Sequence, residues 1–224
     1  MAGKGERAWP GVAYETEVRT AGYRIIAGLD EAGRGAWAGP VVAAAVILPQ
    51  DAGSLAHLIG RVDDSKRLTP PARERLYDAV LGCALAAAVG SVANDAIDAI
   101  GILPATRLAM EKAIAGLALR PDYLLLDFLT LPAVSLPQRG IVHGDGLSIS
   151  IAAASIVAKV SRDRWMAEQA RAYPGYRFER HKGYGTAEHQ EALRRLGPCE
   201  LHRRSFRPLI ELSSDADDES PVCA

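Results

Sequence analysis

Short aliphatic and β-branched runs alternate along this chain with longer amphipathic segments. The runs over 23–30 and 41–49 predict two consecutive buried strands with glycines between them. The runs over 122–127 and 139–145 predict two further strands. Segment 83–93 favours another strand, although its alanines leave a helix open.

Helical spacing and capping residues define the segments between and after these strands. Thr69 before two prolines indicates a helix start, and Gly101 with Pro104 indicates a break or kink. Thr186 is a candidate N-cap and Gly197 a candidate C′ residue of the last helix. The predicted helices cover 69–82, 95–119, 148–172 and 186–197.

The order of these elements predicts an α/β protein with a mixed β-sheet flanked by helices. Residues 1–20 are expected to form an N-terminal extension, followed by a main domain over 21–172. A small helical C-terminal region is expected over 173–210. The remaining segment, 211–224, is acidic and poor in apolar residues, so it is expected to be disordered.

The composition is that of a globular protein with a sizeable core, with 49% hydrophobic and 24% charged residues among 224. No apolar stretch approaches the roughly 20 residues that a membrane helix needs, and the N-terminus has no secretory signal pattern. The three cysteines show no metal-binding spacing. We therefore expect reduced thiols and a cytoplasmic protein without a membrane partner.

The distribution of charge is uneven, although the net charge is only −1. Residues 159–207 carry 12 Lys and Arg against 6 Asp and Glu, whereas 208–224 carry five acids and no base. The basic segment could bind phosphates, and a solvated helical face is the simpler alternative.

Acidic residues follow three of the predicted strands. Asp30 and Asp127 end strand-like runs, Glu31 follows Asp30, and Asp145 precedes the long helix. If the strands are neighbours, these acids can converge at the carboxyl edge of the sheet, where bound cations would offset their repulsion. Oxygen ligands of this kind suit Mg²⁺ or Mn²⁺. Taken singly, each acid could instead cap a helix, begin a turn or be a solvated strand end.

The stretch GRGAWA over 33–38 fits a dinucleotide-binding glycine pattern. That pattern should open a helix, but here it leads to Gly39, Pro40 and another strand-like run. Asp30 and Glu31 would also face the pyrophosphate, so this interpretation is rejected.

Five segments in order resemble the type 2 ribonuclease H family, ribonuclease HII, over about 22–209. Their order and natural spacing make coincidence a poor explanation. The segments are GLDEAGRG with AGPVVAAAVIL (28–48), DDSKRLT (63–69), LLLD (124–127), HGD with ISIAAASIVAKVSRDRWM (143–166), and HKGYGTAEHQEALRRLGPCELHRRSFRPL (181–209).

The resemblance implies a ribonuclease H-like sheet and makes Asp30, Glu31, Asp127 and Asp145 the metal-binding carboxylates. It implies hydrolysis of the RNA strand of RNA–DNA hybrids and incision 5′ of ribonucleotides embedded in duplex DNA. The implied products are a 3′-hydroxyl and a 5′-phosphate. Two divalent ions fit this chemistry, because they can activate the attacking water and stabilise the leaving oxygen. The resemblance also suggests a monomer.

The resemblance further implies substrate-binding residues. Gly33, Arg34 and Gly35 match the motif that recognises the ribose 2′-hydroxyl, and Tyr184 matches a tyrosine that stacks on deoxyribose at the RNA–DNA junction. Lys66 is a candidate phosphate ligand. Plainer alternatives are a tight turn at the glycines, an Arg34 ion pair with a neighbouring acid, and a tyrosine covering the last helix.

One residue departs from the family pattern, because Phe128 follows Asp127 where glycine is usual. Two other function classes follow from the residues: a nucleic-acid-binding protein that has lost catalysis near Phe128, and a carboxylate-pair glycoside hydrolase. The second fits poorly with 6% aromatic residues and a basic C-terminal third.

Overall fold

The computed structural model describes residues 9–210, which contain a five-stranded sheet flanked by helices. The sheet has the order β3-β2-β1-β4-β5. The strands are β1 (Ile26–Ala32), β2 (Val41–Ile47), β3 (Ala86–Val92), β4 (Tyr123–Asp127) and β5 (Gln138–Ile141).

The central strand β1 pairs antiparallel with β2 and parallel with β4, and β5 continues in parallel beyond β4. Strand β3 pairs antiparallel with β2, so the segment that could have been a helix is a strand. The predicted mixed sheet is thereby confirmed. Because β1, β4 and β5 run in the same direction, their carboxyl ends meet at one edge of the sheet.

Helices cover both faces of this sheet. They are α1 (Ala13–Thr20), α2 (Ala52–Leu55), α3 (Pro70–Cys83), α4 (Asn94–Ile100), α5 (Ile102–Ala115), α6 (Ile149–Gln169), α7 (Phe178–His181) and α8 (Ala187–Leu196). Short 3₁₀ helices lie at Gly144–Gly146 and Pro174–Tyr176.

Two apolar layers hold these helices to the sheet. Helix α5 packs on one face and α6 on the other, and small residues let them approach the strands closely. A side chain at Gly28 would lie 2.2 Å from the Ser150 carbonyl of α6, and one at Gly90 would lie 2.1 Å from the Ala109 oxygen of α5. The tight contact at Gly28 places α6 directly against the strand that carries Asp30.

The structure changes two predicted boundaries. The segment 95–119 is two helices divided at Gly101, whose φ is 83°, and Pro104 is accommodated in the first turn of α5. The predicted strand over 139–145 ends already at Ile141. His143 takes a left-handed conformation with φ 56° and starts the 3₁₀ turn that carries Asp145.

The N-terminal segment packs against the start of α6. Gly11 donates a backbone hydrogen bond to the Leu147 oxygen (3.1 Å) and accepts one from Ile149 (2.9 Å). At the other end of the chain, α7 and α8 share an apolar cluster with Met166 of α6. Over 9–210 the helices are too short or too polar to cross a bilayer. The predicted disordered tail over 211–224 lies outside the described residues.

Candidate metal centre and nucleic-acid cleft

Three carboxylates meet at the carboxyl edge of β1 and β4. Asp30, Asp127 and Asp145 each bring an oxygen within 4.8 Å of the other two. They come from β1, from the end of β4 and from the 3₁₀ turn after β5, so the sheet order brings them together. The Asp127 Oδ1 accepts a 2.8 Å hydrogen bond from the Gly144 N–H, which ties this turn to β4.

Asp30 is buried at the centre of this cluster, with 4% of its surface exposed. Burial raises its pKa well above the usual range, and the neighbouring Glu31 and Asp127 carboxylates raise it further. Hydrogen bonds from Ser155 and from the Glu31 N–H (2.6 Å) oppose this shift in pKa. Ser155 lies on α6 and shares a 2.9 Å hydrogen bond with Ser65, so both serines support Asp30.

Asp145 has a neighbouring acid that the sequence patterns did not single out. Burial, followed by the charges of Asp127 and Asp64, raises the pKa of Asp145 to about 6. Asp64 belongs to the segment DDSKRLT (63–69), which resembles a family segment without marking Asp64 as a site residue. Repulsion among these acids disfavours their full ionisation without a compensating cation.

Glu31 follows Asp30 on β1, but it does not belong to the cluster of three acids whose oxygens lie within 4.8 Å of one another. Its Oε1 pairs with Arg34 at 3.0 Å, whereas its Oε2 is buried without a hydrogen-bond partner. Burial raises the pKa of Glu31, and the Arg34 hydrogen bond opposes that shift. A buried carboxylate oxygen without a donor next to three further carboxylates fits an oxygen-liganded divalent cation.

Lys66 supplies positive charge to the same site. Partial burial lowers its pKa, but the carboxylates of Asp64, Asp30, Asp145 and Asp127 outweigh that effect and leave the pKa raised. The ammonium group therefore stays charged beside the acids at neutral pH. Lys66 lines both the groove with Gly35 and Tyr184 and the groove with Asp127 and Asp145.

Two buried arginines shape the loop that contains Gly33, Arg34 and Gly35. Arg162 donates to the Pro40, Ala38 and Lys182 carbonyls at 2.8–2.9 Å. Arg203 donates to the Gly39 and Arg34 carbonyls, both at 2.9 Å. Sequence patterns do not reveal that a single charged residue is buried, so they did not identify either arginine as a support of this loop.

The two glycines of the loop have different surroundings. Gly33 has φ 89°, and a Cβ there would lie 2.0 Å from the Arg162 Nε. At Gly35 a Cβ would meet no atom within 4 Å, so this residue borders open space in the cleft. Arg34 forms an ion pair with Glu31, as in the alternative to substrate binding that the sequence left open. The Arg34 side chain is 47% exposed.

Tyr184 lines the same groove as Gly33, Gly35 and Lys66. The Lys159 Nζ lies 5.1 Å from its ring centre, and the Arg162 Cζ lies 5.2 Å from it. Lys159 also pairs with Asp163 at 2.6 Å. The structure thus brings Tyr184 to the cleft through the packing of the C-terminal region against α6.

A row of buried histidines supports the Tyr184 loop. The Cys199 N–H donates to Nδ1 of His202 (2.9 Å), so His202 donates from Nε2 to Nε2 of His189 (3.0 Å). Nδ1 of His189 in turn donates to the Tyr184 carbonyl (3.0 Å). His181 stacks on His189 with ring centres 4.4 Å apart. His181 is therefore a structural residue, while His143 forms the turn before Asp145.

Comparisons with known proteins identify the family. The sequence model of the family Ribonuclease HII matches residues 27–208. The ribonuclease HII of Chloroflexus aurantiacus is 52% identical over 90% of this chain and 95% of its own length.

Solved structures show the same fold. The ribonuclease H2 from Pyrococcus horikoshii OT3 superposes with a TM-score of 0.71 at 24% identity, covering 88% of this chain and all of that one. Bst-RNase HIII in complex with Mn²⁺ gives a TM-score of 0.66 at 21% identity, covering 87% of this chain and 71% of that one. The predicted ribonuclease H-like sheet is confirmed.

The family match spans most of the chain and includes each of the acidic residues at the cluster. It supports a ribonuclease H hydrolase over the glycoside hydrolase and over the binding protein without catalysis. The chain belongs to the ribonuclease HII family, and it is a ribonuclease H, a metal-dependent endoribonuclease of RNA–DNA hybrids.

Proposed function

We propose that this enzyme incises duplex DNA on the 5′ side of a single embedded ribonucleotide, in addition to cutting the RNA strand of hybrids. The products are a 3′-hydroxyl and a 5′-phosphate. Asp30, Asp127, Asp145 and Glu31 hold two divalent ions, Mg²⁺ or Mn²⁺, during the reaction. The main observation in support is that Asp30, Asp127 and Asp145, from three separate elements, bring carboxylate oxygens within 4.8 Å of one another.

The ions, when bound, activate the attacking water and stabilise the leaving oxygen of the phosphodiester. Asp30 is the central ligand because it is the most buried of the three clustered acids. The free Oε2 of Glu31 supplies a fourth carboxylate ligand. Lys66 attracts the phosphate and offsets part of the negative charge around it.

The glycine loop and Tyr184 read the ribonucleotide. Gly35 leaves open space in which the backbone can approach the sugar and hydrogen-bond a 2′-hydroxyl that DNA lacks. Tyr184 stacks on the sugar of the following deoxynucleotide, and Arg34 contacts an adjacent phosphate after exchanging its Glu31 partner. All these residues come from one chain, which supports activity as a monomer. The free thiols of Cys83 and Cys199 suit the cytoplasm as its compartment.

The test uses a labelled DNA duplex with one ribonucleotide, a matched all-DNA duplex and an RNA–DNA hybrid, each with Mg²⁺ or Mn²⁺. We expect one cut at the phosphodiester 5′ of the ribonucleotide, an upstream product that a polymerase can extend, and no cut in the all-DNA duplex. Cleavage only within runs of several ribonucleotides, or 3′ of the single one, would contradict the proposal.

Tyr184 provides a sharper test of substrate recognition. Tyr184→Phe keeps the ring and should retain most of the incision at single ribonucleotides, whereas Tyr184→Ala should lower that rate about 10-fold or more. Both variants should keep the same Mg²⁺ dependence, because Tyr184 does not line the groove that contains Asp127 and Asp145. An equal loss in both variants would assign the effect to the hydroxyl rather than to stacking.

A further inference from the structure

Phe128 combines two unfavourable features beside the metal-binding acids. Its φ is 59°, a left-handed conformation that is costly for a bulky side chain, and 60% of its surface is exposed. Its backbone is held there by the end of the sheet, because its N–H donates to the Ile141 oxygen at 2.9 Å. Phe128 is absent from the apolar clusters of the core, so burial does not explain an aromatic ring at this position.

Other exposed apolar side chains lie at the same edge. Asp127, the last residue of β4, pairs with Ile141, the last residue of β5. Phe128 and Val142 are the next residues after these two parallel strands, so they lie side by side. Val142 is 60% exposed and Leu147 is 42% exposed, and both line a groove with Asp127 and Asp145. We call Phe128, Val142 and Leu147 the apolar rim.

The apolar rim borders one groove and the proposed ribonucleotide-reading residues line another, and the two grooves meet at Lys66. Gly33, Gly35 and Tyr184 line one groove, whereas Val142 and Leu147 line the other, and Lys66 borders both. A nucleic-acid strand whose cut phosphate lies at the acids beside Lys66 can enter one groove on its 3′ side and the other groove on its 5′ side. This arrangement gives the apolar rim a defined place along the strand.

We propose that the apolar rim binds the nucleotide immediately 5′ of the cut phosphate, with the Phe128 ring against its base. This inference rests on the proposed function, in which the ribonucleotide and its 3′ neighbour occupy the groove of Gly35 and Tyr184. The nucleotide on the other side of the cut phosphate is then the 5′ neighbour. An exposed aromatic ring stacks on any base, so this contact would position the strand without selecting a sequence.

The experiment removes each partner of the proposed contact in turn. Incision is measured for a duplex with one ribonucleotide and for the same duplex with an abasic nucleotide immediately 5′ of the cut phosphate. The wild-type enzyme should lose about 10-fold in kcat/KM on the abasic duplex, within the range for stacking on one base. Phe128→Ala should lose a similar factor on the intact duplex and show little further loss on the abasic duplex. If Phe128→Ala remains as sensitive to base removal as the wild type, the proposal is wrong.

Two further variants separate stacking from structure. Phe128→Gly suits the left-handed backbone, so it should melt at the same or a higher temperature while losing the same activity as Phe128→Ala. Leu85→Ala is the control for an exposed apolar residue, because Leu85 is 58% exposed and its N–H bonds the Ile47 oxygen at the far end of β2. That variant should keep the wild-type sensitivity to base removal. A lower melting temperature of Phe128→Gly would make Phe128 a structural residue and overturn the proposal.

The two proposals fail differently. No incision of the intact single-ribonucleotide duplex by the wild-type enzyme would refute the proposed function. Efficient incision that is unaffected by the abasic nucleotide would refute only the role of the apolar rim.

Discussion

Glu15 and Ser148 join the N-terminal helix to the element that follows the metal-binding turn. The Glu15 Oε1 accepts a 2.6 Å hydrogen bond from the Ser148 hydroxyl and a 3.0 Å bond from the Ser150 N–H, at the N-terminus of α6. A buried carboxylate at this position stabilises the partial positive charge of the helix end. Since the turn with Asp145 leads directly into α6, the N-terminal segment helps to position a metal-binding acid.

Glu15→Ala should therefore lower both stability and metal affinity. Losing a charged acceptor of two buried hydrogen bonds should lower the free energy of unfolding by roughly 2–3 kcal/mol. It should also raise the Mg²⁺ concentration needed for half-maximal activity. Glu17→Gln is the matched control on the same helix, since Glu17 forms only an exposed 3.0 Å pair with Arg139 and should change stability by less than about 1 kcal/mol. Denaturant unfolding and metal titration of the incision rate give the two readouts, and equal effects of both variants would refute this role of Glu15.

Asp30→Asn should separate stability from activity. The substitution removes a buried charge that Glu31 and Asp127 repel, so the metal-free variant should melt at the same or a higher temperature than the wild type. Turnover should fall by at least about 10³-fold, because the central metal ligand is lost, while duplex binding should remain. Calorimetry without metal, binding assays and incision assays test these outcomes. Near-normal turnover would remove Asp30 from the mechanism.

Gly33→Ala and Gly35→Ala form a matched pair in one loop. Alanine at Gly33 would lie 2.0 Å from Arg162 in a left-handed conformation, so this variant should lose several kcal/mol of unfolding free energy. Alanine at Gly35 would meet open space and should change stability by less than about 1 kcal/mol. Gly35→Ala should nevertheless reduce incision at single ribonucleotides, because its methyl group would occupy space needed by the sugar. Full activity of a stable Gly35→Ala enzyme would show that the sugar does not approach there.

The histidine row makes stability sensitive to acid. Burial, followed by the charge of His181, lowers the pKa of His189 to about 4, and burial likewise lowers the pKa of His202 to about 4. Both histidines therefore remain neutral in the folded protein down to about pH 4. In the unfolded chain the same two side chains take up protons near pH 6.5. Their contribution to stability is therefore present above about pH 6.5 and decreases as the pH falls towards 4, on the order of 3 kcal/mol for each histidine.

Three acids at the metal-binding site act in the opposite direction over part of this range, because the pKa values of Asp30 and Glu31 are raised and that of Asp145 is raised to about 6. Without metal, the repulsion at Asp145 is relieved as the pH falls through about 6, which favours the folded state. The histidine effect is best measured in a variant in which Asp30→Asn, Glu31→Gln and Asp145→Asn are combined, and the unfolding free energy of this variant should fall between pH 6.5 and 4. A constant or rising stability in that variant would contradict the proposed neutral pair.

Much of the local structure follows from sequence patterns. Apolar runs located all five strands, and Thr186 and Gly197 bound α8 where the capping rules predict. The strand over 139–145 was predicted too long, because alternation of apolar residues does not reveal a left-handed residue such as His143. Glu31 and Arg34 illustrate another limit, since the sequence allowed either a pair or separate ligands and the structure shows the pair.

Local sequence patterns were enough to locate the strands, to show that acids follow them and to reveal the family resemblance, since these properties depend on neighbours along the chain. The folded structure was needed to show that Asp30, Asp127 and Asp145 share one site, that Arg162 lies buried beneath the glycine loop, and that Glu15 contacts α6. Glu15 and Ser148 are separated by 133 residues, and Arg162 and Pro40 by 122. Contacts at such distances along the chain arise from how the sheet and helices pack, and no local pattern encodes them.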